Sequence, residues 1–177
     1  MNFIVDHIAK NPFSRPAEKL EDVKAIIVHY TACPHATAKN IRDYFDNLKK
    51  QNSNDNIEDR SASAHYAVDD NCIIEIIPPD EVAYHVGAKK YTEIGKSFGK
   101  RSPNNYTIGI EMCHDDESGK FNSNTIKNAI ELINFLLNKF ELKKENIFRH
   151  FDITGKNCPK WFVENEKDWL FFKNTIG

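Results

Sequence analysis

The stretch "VKAIIVHYTA", residues 23–32, decides the class of fold that this chain can adopt. Its short run of β-branched and small apolar residues ends in polar and small ones, a pattern typical of a buried strand. Such a strand would present His29 at its C-terminal end. The stretch therefore predicts a buried strand that ends in a histidine available for chemistry.

Helical patterns follow this strand. Apolar residues recur at helical spacing in "ATAKNIRDYFDNLKKQ" (36–51) and, most clearly, in "NSNTIKNAIELINFLLNKF" (122–140). In the second segment the apolar residues expected on one face are Ile126, Ile130, Ile133, Leu137 and Phe140. Residues 161–176 predict a final helix that covers the sheet.

Extended patterns lie between and beside these helices. Two runs on either side of Asp70 and Asn71 predict a hairpin within residues 63–79, and residues 106–115 predict another strand. "NIFRH" predicts a short strand, whereas residues 52–63 and 84–105 predict loops. The alternation of the two kinds of pattern predicts one α/β domain over residues 1–177, with a central mixed sheet flanked by helices.

The composition excludes several classes of protein. The chain has 177 residues, of which 40% are hydrophobic and 28% charged, and its net charge is −2. Without a cationic excess, nucleic acid is not expected as the main partner. No apolar run approaches the roughly 18–20 residues needed to cross a bilayer, so membrane insertion is not expected. The N-terminus lacks the apolar stretch of a signal peptide, which predicts synthesis in the cytoplasm without one.

The segment "RHFDITGKNCPK", residues 149–160, contains a possible pair of metal ligands. His150 and Cys158 flank a loop long enough to place both side chains on one ion, and zinc binds imidazole and thiolate in a tetrahedral shell. The alternative is an ordinary histidine and a buried thiol. A third ligand would complete a site at the strand ends, and His29 and His114 both remain candidates on sequence alone. The four cysteines do not predict a disulfide framework in a cytoplasmic chain.

Five blocks together make the sequence similar to a known family. They are "IIVHYTA" (26–32), "SAHYAVDD" (63–70), "AYHVGA" (83–88), "YTIGIEMC" (106–113) and "RHFDITGKNCPK" (149–160). In this order and spacing they closely resemble the type 2 N-acetylmuramoyl-L-alanine amidases. That family includes phage endolysins and bacterial autolysins, and it is related in fold to peptidoglycan recognition proteins. The resemblance extends from about Ile26 to Trp161.

The resemblance implies specific roles for individual residues within these blocks. His29, His150 and Cys158 look like the ligands of one catalytic zinc ion, which would return His114 to a structural role. Glu111 matches the family's catalytic glutamate. Strand alternation puts it on the face of Gly109 and Cys113, away from Ile108, Ile110 and Met112, which fits a cleft better than open solvent. Lys156 matches a lysine that helps to bind or stabilise the reacting carbonyl.

The blocks also depart from the family pattern near the expected substrate. Some members have a tyrosine immediately before the histidine of the second block, where this chain has Ala64, so that role is empty or passes to a neighbour such as Tyr66. Tyr84 replaces the tryptophan that precedes the histidine of the third block. The expected substrate contacts are His85, Tyr66 and Thr31.

The leading hypothesis is a zinc hydrolase that cuts the amide between N-acetylmuramic acid and L-alanine in peptidoglycan. Two alternatives remain, a non-catalytic module that only binds muropeptide and a structural zinc domain; structural sites usually have four protein ligands, and only three are found here. No separate wall-binding domain is predicted. Without a signal peptide, action on the cell wall would follow release through a holin-type pore or lysis. The oligomeric state is not predicted.

Overall fold

The computed structural model describes residues 3–52 and 58–177, which form a six-stranded sheet with helices on both faces. The strands are β1 (Phe3–Val5), β2 (Ala25–Tyr30), β3 (Tyr66–Val68), β4 (Ile73–Glu75), β5 (Thr107–Met112) and β6 (Ile147–Arg149). The α-helices are α1 (Ala38–Asn47), α2 (Glu93–Ser97), α3 (Ser123–Lys139), α4 (His150–Thr154), α5 (Lys160–Glu164) and α6 (Glu166–Thr175). This architecture confirms the predicted α/β fold.

The sheet is mixed and runs in the order β1-β4-β3-β5-β2-β6. The predicted hairpin is present, since β3 and β4 pair antiparallel, and the other neighbouring strands pair parallel. β2 lies between β5 and β6 and pairs with β5 along its whole length, from Ala25 opposite Thr107 to Tyr30 opposite Met112. The C-terminal ends of β2, β5 and β6 therefore lie at one edge of the sheet.

Side chains alternate between the two faces of β5 as the sequence predicted. Ile108, Ile110 and Met112 belong to the core that packs under α3 and α6, whereas Cys113 belongs to the core under α1. Asn122 caps α3 by accepting a hydrogen bond from the Thr125 amide at 2.9 Å. The buried face of α3 is offset from the predicted one, because Ile126, Ile130 and Phe140 are only partly buried. The buried residues are Thr125, Ala129, Leu132, Ile133, Leu136 and Leu137.

Several short elements differ from the predictions. β1 was not predicted, α2 and a 3-10 turn at Pro103–Asn105 lie within the predicted loop 84–105, and α4 begins at His150. The predicted final helix is divided into α5 and α6 around Asn165. Residues 53–57 of the loop predicted over 52–63 lie outside the described residues. Among the residues that the structure describes, no helix has the length and apolar character needed to cross a membrane.

Candidate functional site

Three elements bring His29, His150 and Cys158 together at the C-terminal edge of the sheet. His29 lies near the end of β2, and β6 pairs beside it with Val28 opposite Arg149, so that His150 follows next to His29. α4 then ends at Gly155, whose φ of 78° is in the left-handed region and turns the chain back. The Phe151 amide donates to the Cys158 carbonyl at 2.9 Å, which fixes the returning segment against α4.

The three side chains form a compact, buried cluster of metal-ligand type. One ligand atom from each lies within 4.8 Å of the others, and Nδ1 of His29 is 3.8 Å from Sγ of Cys158. Nδ1 of His150 is buried and has no hydrogen-bond partner among the described residues. Imidazole nitrogen and thiolate sulfur are the donors that zinc prefers. The donor set and the unpartnered nitrogen therefore both fit a bound metal ion.

Burial sets the protonation of these ligands. It lowers the pKa of His29 well below its usual value, helped by the charges of His150 and His85. Burial, and next the positive charge of Lys156, lower the pKa of His150 to about 4. Both rings are therefore neutral near pH 7 and can donate a lone pair. Burial, followed by the charge of Glu111, raises the pKa of Cys158 to about 12, so the thiol ionises only when a cation compensates it.

Glu111 lies directly beside the cluster, because the parallel register of β2 and β5 places it opposite His29. Its Oε2 is buried and has no hydrogen-bond partner in the described part of the chain. Burial raises the pKa of Glu111 to about 8, while the nearby positive charge of Lys156 acts in the opposite direction. A carboxyl group poised near neutrality and left without a partner is typical of general acid–base sites.

A cleft of about 200 Å³ opens onto the cluster. Its floor contains the three cluster residues and Glu111, and its walls come from the end of β2, α1 and the segments around residues 60–63 and 84–85. Lys156 and Arg60 add positive charge to the wall, and Tyr44 and Tyr84 add aromatic surface. A substrate in this cleft would therefore meet the ligand cluster, positive charge and aromatic surface together.

The family model for N-acetylmuramoyl-L-alanine amidase, Amidase_2, matches residues 19–161, which include every residue of this cluster. The chain belongs to this amidase family.

Curated members of the family extend the similarity over almost the whole chain. The N-acetylmuramoyl-L-alanine amidase CwlL of Bacillus licheniformis is 36% identical over 173 residues, covering 98% of this chain and 46% of that protein. The N-acetylmuramoyl-L-alanine amidase BlyA of Bacillus subtilis (strain 168) is 38% identical over 181 residues, with the same coverage of 98% and 46%. The chain spans about half the length of these curated relatives.

Solved structures of the family show the same fold. The catalytic domain of XlyA aligns with a TM-score of 0.76 and 28% identity, and each chain covers 100% of the other. A mutant endolysin from Bacillus subtilis aligns with a TM-score of 0.75 and 28% identity, covering 100% of this chain and 99% of that one.

The structure brings most of the predicted site residues to one place. The cleft is lined by the three predicted ligands and also by Glu111, Lys156, Thr31 and His85. Tyr66 does not reach it: this side chain is fully buried in the core under α3, and its hydroxyl donates to Oε2 of Glu75 at 2.9 Å. In the register of the sheet Tyr66 stands opposite Ile110 and shares its face, so the role left open by Ala64 does not pass to it.

His114 and the wall of the cleft complete the comparison with the sequence. His114 lies outside the ligand cluster, stacks on the Tyr30 ring and donates from Nδ1 to the Asp116 carbonyl at 2.8 Å. The wall residues Arg60, Ala62 and Ser63 were missed, because they lie in an irregular segment that has no periodic pattern. Contact across loops of this kind leaves no signal in a single sequence.

Proposed function

We propose that this chain is a zinc-dependent hydrolase that cuts the amide between N-acetylmuramic acid and L-alanine in peptidoglycan. The observation that carries the proposal is the meeting of three metal-ligand side chains and one unpartnered carboxyl group, Glu111, in a single cleft. Membership of the amidase family supports the same reaction. The curated relatives are named for the same activity.

His29, His150 and Cys158 would hold the zinc ion. The two neutral imidazoles would donate lone pairs, and the Cys158 thiol would release its proton to solvent and become the third ligand. Three protein ligands are the number typical of catalytic zinc sites, whereas structural zinc sites usually have four. When bound, zinc supplies a Lewis acid that polarises a carbonyl group, makes water more acidic, and favours the ionised forms of the nearby acids.

Glu111 and Lys156 carry out the proton transfer and the charge stabilisation. Glu111 takes a proton from the attacking water and then gives it to the leaving nitrogen, as general base and general acid in turn. The ammonium group of Lys156 stabilises the negative charge that develops on the carbonyl oxygen of the scissile amide. Thr31, half-buried in the cleft wall, contacts the substrate. The chain reaches peptidoglycan after release from the cell that makes it.

The decisive experiment is a digest of purified peptidoglycan in which new alanine amino ends and new reducing sugar ends are both counted. We expect amino ends without reducing ends, and we expect a zinc chelator to stop their release. In Glu111→Gln the rate should fall by about 10²–10⁴-fold with zinc still bound, because only the proton transfer is removed.

Each other outcome of the digest would indicate a different class of protein. Reducing ends would identify a glycosidase, and amino ends that form in the presence of the chelator would overturn the role of zinc. If neither end appears while the chain still binds the wall, it is a recognition module.

A further inference from the structure

A chain of hydrogen bonds runs from His29 into the interior of the protein, on the side away from Cys158. Nε2 of His29 lies 3.1 Å from Nδ1 of His85. Nε2 of His85 lies 3.1 Å from Oγ1 of Thr107 and 3.3 Å from the Thr107 carbonyl oxygen. Oγ1 of Thr107 donates in turn to the Pro103 carbonyl at 2.8 Å. All of these atoms are held in buried side chains or in backbone, so the chain connects the ligand cluster to the fixed main chain.

The donor and the acceptor of every hydrogen bond in this series follow from its last member, the Pro103 carbonyl. The Pro103 carbonyl can only accept, so it takes the hydroxyl proton of Thr107. The Thr107 hydroxyl oxygen and the Thr107 carbonyl are then both acceptors toward His85, whose Nε2 must carry the proton. Nδ1 of a neutral His85 is therefore a bare acceptor, and the proton between the two rings belongs to Nε2 of His29. The lone pair of His29 is left on Nδ1, the atom 3.8 Å from Sγ of Cys158.

The ring of His85 is held in the orientation that this chain requires. It packs directly on the backbone of β5 at Gly109, where an added Cβ would come within 2.5 Å of its Cγ and 2.7 Å of its Nδ1. The His85 amide also donates to Oδ1 of Asn104 at 3.1 Å. The glycine in "TIGIEM" is therefore a close-approach position: any side chain there would displace the acceptor of His29.

We propose that His85 is a positioning residue, which holds His29 in the single tautomer that points its Nδ1 lone pair at Cys158 and His150. Thr107 fixes the proton of His85, and Gly109 makes room for its ring. The inference rests on the proposed function for the ligand role of His29. Metal-binding histidines generally donate their second N–H to a buried acceptor, and loss of that acceptor weakens metal binding about 10–100-fold. In this role His85 contacts the ligand His29, whereas the sequence predicted that His85 contacts the substrate.

The test combines two substitutions with a measurement on the unchanged chain. His85→Leu removes the acceptor at similar size, whereas in His85→Asn the Oδ1 atom occupies nearly the place of Nδ1 and can still accept from His29. We expect His85→Leu to weaken zinc binding about 10–100-fold in competition with a chromophoric chelator. The Asn variant should recover most of that loss. Equal zinc affinity in the Leu variant and the unchanged chain would overturn the proposal.

The tautomer can be observed directly by nitrogen NMR of the imidazole rings in the metal-free chain, and this measurement does not depend on activity. We expect His29 to be protonated at Nε2 and bare at Nδ1 in the unchanged chain and in His85→Asn. A mixture of tautomers is expected in His85→Leu, a change that a merely structural role for His85 would not produce. A proton on Nδ1 in the unchanged chain would contradict the proposal even if the Leu variant failed to fold. If the unchanged chain binds no zinc, the proposed function fails, and the spectra alone decide the positioning role.

Discussion

His65 and His150 are both buried histidines, and they differ in the hydrogen bonds that their ring nitrogens make. Both are at most 5% exposed, and burial lowers the pKa of each to about 4. Nδ1 of His65 accepts from the Gly109 amide at 3.0 Å, and its Nε2 lies 2.9 Å from the Glu81 carbonyl, so both nitrogens are satisfied. Nδ1 of His150 has no such partner within the described ranges. His65 joins β3, β5 and the turn before Val82, whereas His150 belongs to the ligand cluster.

The difference shows that burial and a lowered pKa do not by themselves identify a site residue. Unmet hydrogen-bonding capacity is more informative, because a buried polar atom without a partner is destabilising. It is still not sufficient, since Nε2 of His114 is also buried without a partner in the described structure. His114 lies outside the cluster, so an unpartnered nitrogen indicates a metal site only where other ligand atoms are close to it.

The largest expected effect belongs to the thiol that completes the cluster. Cys158→Ser replaces a soft sulfur ligand with a hydroxyl that zinc binds poorly, so nearly all bound zinc and nearly all hydrolysis should be lost. Zinc content by atomic absorption and the peptidoglycan digest measure the two losses. Cys72→Ser, in the hairpin, is the matched control and should keep both. Full activity in Cys158→Ser would end the assignment of the ligands.

Substitution by leucine should have opposite effects on zinc binding and on stability at His150 and at His65. His150→Leu should abolish tight zinc binding with little change in the unfolding free energy of the metal-free chain. His65→Leu should keep the zinc affinity but lower that free energy by roughly 1–3 kcal/mol, because the buried Gly109 amide loses its acceptor. Urea unfolding and zinc titration of both variants make the comparison. An equal loss of zinc affinity in the two variants would show that His150 has no special role in metal binding.

A further effect is expected from pH. In the unfolded chain His65 takes up a proton near its ordinary pKa of 6.5, whereas in the folded chain burial holds that pKa at about 4. Between these values the unfolded state binds more protons, so the metal-free chain loses stability as the pH falls from 6.5 to 4. For one histidine the slope reaches about 1.4 kcal/mol per pH unit. Urea midpoints measured across this range should fall less steeply in His65→Leu; parallel curves would mean that His65 does not remain neutral in the folded chain.

The sequence was sufficient for the elements whose pattern is local. The apolar run before His29, the alternation around Glu111 and the long amphipathic helix each predicted an element that the structure contains. The short elements were missed because distant contacts stabilise them. α2 (Glu93–Ser97), for instance, is capped by Thr92, whose hydroxyl accepts from the Gly95 amide and donates to the Asp152 carbonyl at 2.7 Å. The first contact is a local helix cap, but the second joins residues 60 positions apart and cannot be read from the sequence around the helix.

The register of the β-strands determines which parts of the site could be predicted from the sequence. His29 and Glu111 are on different strands. The family resemblance implied that they share a site, but no periodicity specifies the parallel pairing that brings them together. The same pairing rule puts Tyr66 opposite Ile110, and this places its side chain in the core. The contact between His29 and His85 was not predicted, because it joins a strand end to an irregular segment.

The two proposed ligands that approach to 3.8 Å, His29 and Cys158, are 129 positions apart in the chain. A growing polypeptide therefore contains no complete ligand set until synthesis has passed Cys158. No single hairpin or helix pair can capture the ion in advance, because the ligands meet only when β2, β6 and the segment after α4 are all in place. Metal uptake by this chain should consequently report the completion of the fold, and the proportion of metal-loaded molecules becomes a measure of correctly folded protein in a preparation.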